Sequence, residues 1–227
     1  MAPSGSEGSS SDVIDELSAI PPPRSEQRPV IGLDVGGTKI AGGVVTGDGR
    51  VLQRMRVPTS TDDGSATVDA MAAVVDQLRA SHPEVEAIGV GAAGLVQWPS
   101  GRILWAPNNP YRDLTLRRLL HERTGLPTEV DNDGTAAAWG ESRFGAAAGT
   151  DDMVLLTVGT GVGGGLVLNG HIYRGKRGTG FEVGHMVVHP RGPRAAAANQ
   201  GVWRRWRPAR PWGGWVVRRP RRTRRGG

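Results

Sequence analysis

The amino-acid sequence predicts an α/β protein built on a mixed sheet. Three features carry that expectation: short apolar strands alternate with stretches of helical periodicity, glycine-containing turns join the strands that no helix separates, and three strands run directly into polar or glycine-rich loops. In open α/β sheets, ligands bind beyond the carboxyl ends of the strands, so these loops are expected to face one cleft.

From Pro29 the elements follow in order. Val30-Ile31-Gly32-Leu33-Asp34 is an apolar strand ending on a carboxylate, and it leads into Gly36-Gly37-Thr38-Lys39. Residues 40–45 and 51–57 bracket Thr46-Gly47-Asp48-Gly49, whose Asp-Gly pair favours a hairpin turn. Val68, Met71, Val74, Val75 and Leu78 recur at helical spacing and predict a helix over 68–78. A strand over 87–90 enters Gly91-Ala92-Ala93-Gly94. A helix over 114–121 is stopped by Gly125-Leu126-Pro127, after which Thr128-Glu129-Val130 leads to Asp131-Asn132-Asp133. A helix over 136–144 and a strand over 153–158 follow, and the strand opens into a glycine loop from Gly159 to Gly165. Residues 166–167 and 171–173 flank the turn Asn169-Gly170.

Composition narrows the classes. The 227 residues carry 28 basic and 22 acidic side chains, a formal charge of +6, yet eleven arginines and no acid lie between Arg194 and Gly227. Residues 1–193 are therefore net acidic, which excludes a uniformly basic nucleic-acid-binding body. The absence of cysteine excludes a disulfide scaffold and any cysteine-ligated zinc or iron–sulfur site. No apolar run approaches the ~20 residues needed to span a bilayer. The N-terminus has neither a basic start nor an apolar signal core, so a cytoplasmic protein without a membrane partner is expected. With 35 Gly, two Phe and two Tyr, the core is expected to be Val, Leu, Ile and Ala. Residues 1–28 mix Ser, Gly, Pro and charge with too little apolar surface to offset ordering entropy, and are expected to form a disordered leader.

Four segments bear chemistry. In Asp34-Val35-Gly36-Gly37-Thr38-Lys39 the glycines let backbone N–H groups approach a phosphate, Thr38 adds a hydroxyl donor, Lys39 adds charge, and Asp34 can hold a magnesium ion directly or through water. An ordinary Gly-Gly turn is the alternative, and the spacing is not that of a P-loop. The stretch Thr157 to Gly165 has the same phosphate-cradling composition, so a nucleotide clamped between two lobes suits the pair better than two ordinary turns. Within Asp131-Asn132-Asp133, a carboxylate can take a proton from a bound hydroxyl while an amide orients the same ligand. One of the three is also expected to cap the following helix. Glu182-Val183-Gly184-His185 places a carboxylate and an imidazole three apart, suited to sugar hydroxyls or a metal, with a simple surface pair as the alternative.

In this order the segments resemble the ROK family (repressors, open-reading-frame proteins and sugar kinases), in particular its bacterial glucokinase branch. The residues that carry the resemblance are Asp34-x-Gly36-Gly37-Thr38-Lys39, Gly91-Ala92-Ala93-Gly94, Asp131-Asn132-Asp133 before Ala136-Ala137-Ala138-Trp139-Gly140-Glu141, Thr157-x-Gly159-Thr160-Gly161-x-Gly163-Gly164-Gly165, and Glu182-x-Gly184-His185-Met186. The resemblance implies an actin-like (ribonuclease H-like) ATPase fold, here an N-terminal lobe plus the start of a second, with an incomplete sugar-kinase domain over 29–193. It implies ATP and magnesium as cofactors, glucose or a related hexose as substrate, and a homo-oligomer. Asp133 matches the catalytic base for the 6-hydroxyl. Asp34, Gly36, Gly37, Thr38 and Lys39 would serve magnesium and phosphate, with Gly159, Thr160 and Gly161 as the second phosphate loop. Asn108, Asn132, Asp133, Glu182 and His185 match sugar-contacting positions. A repressor of the same family would carry an N-terminal helix-turn-helix, for which residues 1–28 are too short and polar.

One departure is plain. The family pairs His185 with three cysteines of a C-x-C-G-x-x-G-C-x-E segment in a structural zinc site, and the corresponding stretch here, from Arg194 to Arg204, has neither cysteine nor glutamate. The Arg/Trp-rich residues 194–227 admit three readings: a nucleic-acid arm with Trp203, Trp206, Trp212 and Trp215 stacking on bases, a membrane-surface segment, or out-of-frame translation. The codons favour the last. Alanine is GCN, so Ala195 to Ala198 read one nucleotide earlier become NGC triplets, which encode Cys, Gly, Arg or Ser. A frame reading C-G-C-G-x-x-G-C-V-E is compatible with this stretch. A nucleic-acid partner is accordingly not expected.

Overall fold

The computed structural model describes residues 28–59, 63–106, 112–158 and 162–187. The expected leader, Asn108, Gly159-Thr160-Gly161 and the Arg/Trp-rich segment lie outside these described residues.

The main sheet grows outward from β1 (Val30–Val35). On one edge β1 pairs antiparallel with β2 (Lys39–Val45), which pairs with β3 (Val51–Pro58). On the other edge it pairs parallel with β4 (Ile88–Ala92), which pairs parallel with β8 (Thr128–Asn132). The crossover from β3 to β4 contains α1 (Gly64–Ser81). The crossover from β4 to β8 contains α2 (Leu116–Thr124) and a small antiparallel sheet of β5 (Leu95–Gln97), β6 (Arg102–Trp105) and β7 (Arg112–Leu114). Helix α3 (Asp133–Phe144) leads to a second sheet, ordered β11 (His171–Ile172), β10 (Val162–Leu168), β9 (Met153–Val158). The order β11-β10-β9 repeats the antiparallel arrangement of β3-β2-β1.

Strand alternation assigns the faces. Ile31, Leu33, Val35, Ile40, Val44, Ile88, Val90 and Val130 point to one side and are buried there under α1 and α2. The stripe Val68, Met71, Val74, Val75 and Leu78 supplies the helical half of that core, as its spacing predicts, together with Leu116 and Leu120. Asp63 starts α1 by accepting from Ala66 N–H at 2.7 Å. Gly42 sets how near α1 can come: a Cβ there would stand 2.6 Å from Val74 Cγ1.

The opposite face is different. Gly32 sits in register with both Gly43 and Gly89, so glycines line adjacent positions across three strands. Together with the start of α3 they bound a trough of about 1460 Å³ whose lining includes Asp34, Asp131 and Asp133.

Three expectations change. Gly163 to Gly165 belong to β10 and not to a loop, because α3 packs hard against them: a Cβ at Gly165 would lie 2.5 Å from Ala138 Cβ. Residues 112–114 form β7, and α2 starts at Leu116. The β5–β6–β7 sheet is added to the predicted elements; its strands of three or four residues are too short for a period of two to register in the sequence. No helix among the described residues is long and apolar enough to cross a membrane.

Candidate active site

The first glycine loop is held from both sides. Gly36 N–H bonds the Lys39 carbonyl at 3.0 Å. Thr59, which is buried, donates its Oγ1 to Gly36 O at 2.8 Å and its N–H to Thr38 O at 3.1 Å. Ala93 N–H bonds the Val35 carbonyl at 3.1 Å, tying the loop after β4 to the end of β1. Asp34 is exposed at the strand end and lines the trough, in register with Ala41 and Gly91.

The acidic turn after β8 divides its work. Asn132 is the cap of α3: its Oδ1 accepts from Gly134 N–H at 2.9 Å and Thr135 N–H at 3.2 Å. Its Nδ2 donates to the Gly94 carbonyl at 3.0 Å, leaving the second amide hydrogen for another acceptor. Gly94 holds that carbonyl in place with φ +120°, pressed against the backbone of Trp105 and Ala106. Helix α3 therefore begins at Asp133, three residues earlier than its apolar pattern implies, and the exposed Asp133 opens on the same trough as Asp34.

Gly164 is where the second sheet meets this turn. A Cβ on Gly134 would stand 2.5 Å from Gly164 O, and a Cβ on Gly164 would stand 3.2 Å from Phe181 Cε1. Phe181, at φ +61°, leads into the 3₁₀ turn Val183–His185 that packs on β10. The turn that carries His185 thus packs on β10, the strand whose Gly164 also meets Gly134 of α3. The Glu182 and His185 side chains lie 3.9 Å apart, both partly exposed. Asp34 near the end of β1 and Asp133 at the start of α3 both line the trough, whereas Asn132, Glu182, His185 and the loop over 36–39 are not among its lining residues. Asn108 and Gly159-Thr160-Gly161 lie outside the described residues.

The model of the ROK family matches residues 30–206. The chain belongs to the ROK family. Its match ends inside the Arg/Trp-rich segment, thirteen residues beyond Pro193. The glucokinase of Streptomyces coelicolor is 42% identical over 176 residues, covering 78% of this chain and 55% of the relative. Among solved structures, the ROK glucokinase from Streptomyces griseus in complex with glucose and AMPPNP is 44% identical with a TM-score of 0.72, over 78% of this chain and 56% of that one. The xylose repressor of Bacillus subtilis is 29% identical over 177 residues, 76% of this chain and 46% of the repressor. The chain spans about half the length of these ROK relatives. Its fold is accordingly the actin-like ATPase fold: the β1–β8 sheet with its helices is the N-terminal lobe, and β9–β11 opens the second.

The two metals implied for a ROK kinase fare differently. Structural zinc does not fit these residues, since the chain has no cysteine and no cluster of three His, Cys, Asp or Glu side chains exists among the described residues. Magnesium asks less of the protein, one or two carboxylates with the remaining ligands from water and phosphate, and the exposed Asp34 carboxylate beside the glycine loop meets that requirement.

Thr59 and Arg174 were missed by sequence reading: Thr59 lies 23 residues from the Gly36 carbonyl it satisfies, and Arg174 lies 43 residues from its partner Asp131.

Proposed function

We propose that this chain carries the substrate-positioning half of an ATP-dependent hexose kinase, transferring the γ-phosphoryl group to the 6-hydroxyl of glucose. The observation that carries the reading is the exposed Asp133 carboxylate at the start of α3, opening on the same trough as Asp34 and backed by Gly164 of the second sheet. The likeness to glucokinases, one of them solved with glucose and AMPPNP, supports the substrate and the nucleotide.

In this reading Asp133 accepts the proton of the sugar hydroxyl as that oxygen attacks phosphorus. Asn132, Glu182, His185 and Asn108 hold the other hydroxyls. Gly36, Gly37, Thr38 and Lys39 would serve the phosphates, with Gly159, Thr160 and Gly161 as the second phosphate loop, and Asp34 is the residue that would hold magnesium. Bound magnesium supplies neutralisation of phosphate charge. Phosphoryl transfer is chiefly positioning and charge stabilisation, and this reading assigns these residues to both. Residues 29–193 form the kinase part, and 194–227 form the segment read out of frame.

The test is an ADP-release assay of the full chain with glucose, mannose, fructose and N-acetylmannosamine, beside Asp133→Ala. The expected outcome is glucose-dependent ADP that falls about 10²–10⁴-fold in the variant. Equal rates in both proteins would remove Asp133 from its role. The xylose-repressor likeness supports a second reading, sugar binding without transfer. Calorimetric glucose binding with no ADP released would favour that one.

A further inference from the structure

Arg174, in the turn after β11, joins all three sheets at one point. Its Nε donates to Asp131 Oδ2 at 2.7 Å, and its guanidinium carbon stands 4.9 Å from the centroid of the Trp98 ring. Asp131 lies on β8 of the main sheet and Trp98 follows β5 of the small sheet. The Arg174 and Asp131 side chains are 24% and 15% exposed, so the ion pair is sheltered and its charge-assisted bond is stronger than at an open surface. The planar guanidinium meets the carboxylate and stacks on the indole at once, which an ammonium cannot do.

The backbone around this contact is tightened in the same sense. Trp98 N–H bonds the Arg177 carbonyl at 3.3 Å. Gly178, at φ +86°, lies so close to Trp98 that a Cβ would come within 2.7 Å of its nitrogen. From the other side, Arg117 donates to the Pro99 carbonyl and to the Thr128 carbonyl, each at 2.9 Å, fastening the turn after β5 to β8. The chain from Tyr173 to Gly178 is thereby moored to the strand that ends in the acidic turn.

What Arg174 holds leads directly to Asp133. Asp131 presents Oδ2 to Arg174 and Oδ1 to the Asn132 N–H at 2.9 Å, and Asn132 caps the helix whose first residue is Asp133. We propose that Arg174 is a positioning residue: by clamping Asp131 against Trp98 it fixes the Asn132-Asp133 turn relative to the second sheet, and so fixes where the Asp133 carboxylate meets the sugar hydroxyl. The role rests on the kinase reading above. In this role Arg174 acts through Asp131 and not on a reacting atom.

The experiment compares the full chain with Arg174→Met, which keeps the aliphatic stem, and Arg174→Lys, which keeps the charge. Amide hydrogen exchange is followed in peptides covering 131–135 and in peptides of β1 and β4. In Arg174→Met, exchange at 131–135 is expected to rise about tenfold with β1 and β4 unchanged. In the ADP-release assay, kcat for glucose is expected to fall about 100-fold, the scale of a one-ångström misplacement, with KM changed less than about threefold. Arg174→Lys is expected to recover part of kcat. Unchanged exchange at 131–135, or an equal rise in β1 and β4, overturns the clamp, as does a loss confined to KM. If the unsubstituted chain transfers no phosphate, the kinase reading fails alone, and the exchange measurement still decides whether Arg174 orders the turn.

Discussion

Asn132 shows how one side chain serves the fold and the site together. Its carbonyl oxygen closes the start of α3 while its amide reaches the Gly94 carbonyl. Asn132→Ala is therefore expected to lose about 1 kcal/mol for the cap alone. Asn132→Ser, which still caps, should recover most of that loss in urea unfolding but should not recover the sugar KM. Equal KM values for Asn132→Ser and the unsubstituted chain would remove Asn132 from the sugar site. Thr59 is the corresponding case for the phosphate loop. Thr59→Val deletes the hydroxyl that satisfies Gly36 O, and leaving that acceptor without its donor is expected to cost about 1–3 kcal/mol. The loop would be freed as well, so the KM for ATP should rise; a stability loss with unchanged KM would make Thr59 purely structural. At this scale the sequence exposed the cap, which follows from residue type and local spacing, and the roles of Asp34 and Asp133 are proposed on the same ground. Thr59 and Arg174 stayed hidden, because a threonine 23 residues from its carbonyl or an arginine 43 residues from its carboxylate is paired only by the fold.

Among the elements, glycines that look alike in sequence separate into two kinds. Gly164 and Gly134 sit where backbones touch, so a methyl group at either collides with main-chain atoms inside 3.0 Å. Gly32 and Gly89 lie on the open face of the main sheet, and a Cβ at either meets nothing within 4 Å among the described residues. Gly164→Ala is expected to cost on the order of 1–3 kcal/mol by overpacking, whereas Gly32→Ala and Gly89→Ala should be neutral or stabilising by roughly 0.5–1 kcal/mol, since alanine restricts the unfolded chain. Denaturant midpoints of the three variants decide it, and a Gly32→Ala loss as large as that of Gly164→Ala would mean that another element covers the sheet face. The same contrast explains what was legible. Apolar spacing announced α1, the first hairpin and the strands leading into the loops. Gly163-Gly164-Gly165 read as a loop because the approach of α3 that makes glycine necessary in β10 is a tertiary fact.

For the whole molecule, charge and family pattern part company at one place. The body is net acidic and belongs to the ROK family, whereas residues 194–227 contribute eleven arginines and no acid, and no cysteine stands where the resemblance calls for three. The frame reading accounts for all of these together and makes a chemical prediction. Inserting one nucleotide just ahead of the Arg194 codon should turn the alanine run into cysteine and glycine codons and remove the arginine excess. The product should then hold about one zinc per chain through His185 and three thiolates, the tetrahedral complement a structural site needs. This chain, which has His185 and no thiolate, should hold none after dialysis. Metal analysis of both proteins measures the difference, and the coding DNA is the prior check. A displaced frame that stops within a few codons, or that lacks the cysteines, ends the idea and returns the basic segment to the nucleic-acid reading, where salt-sensitive DNA binding lost on deleting 194–227 would be its signature.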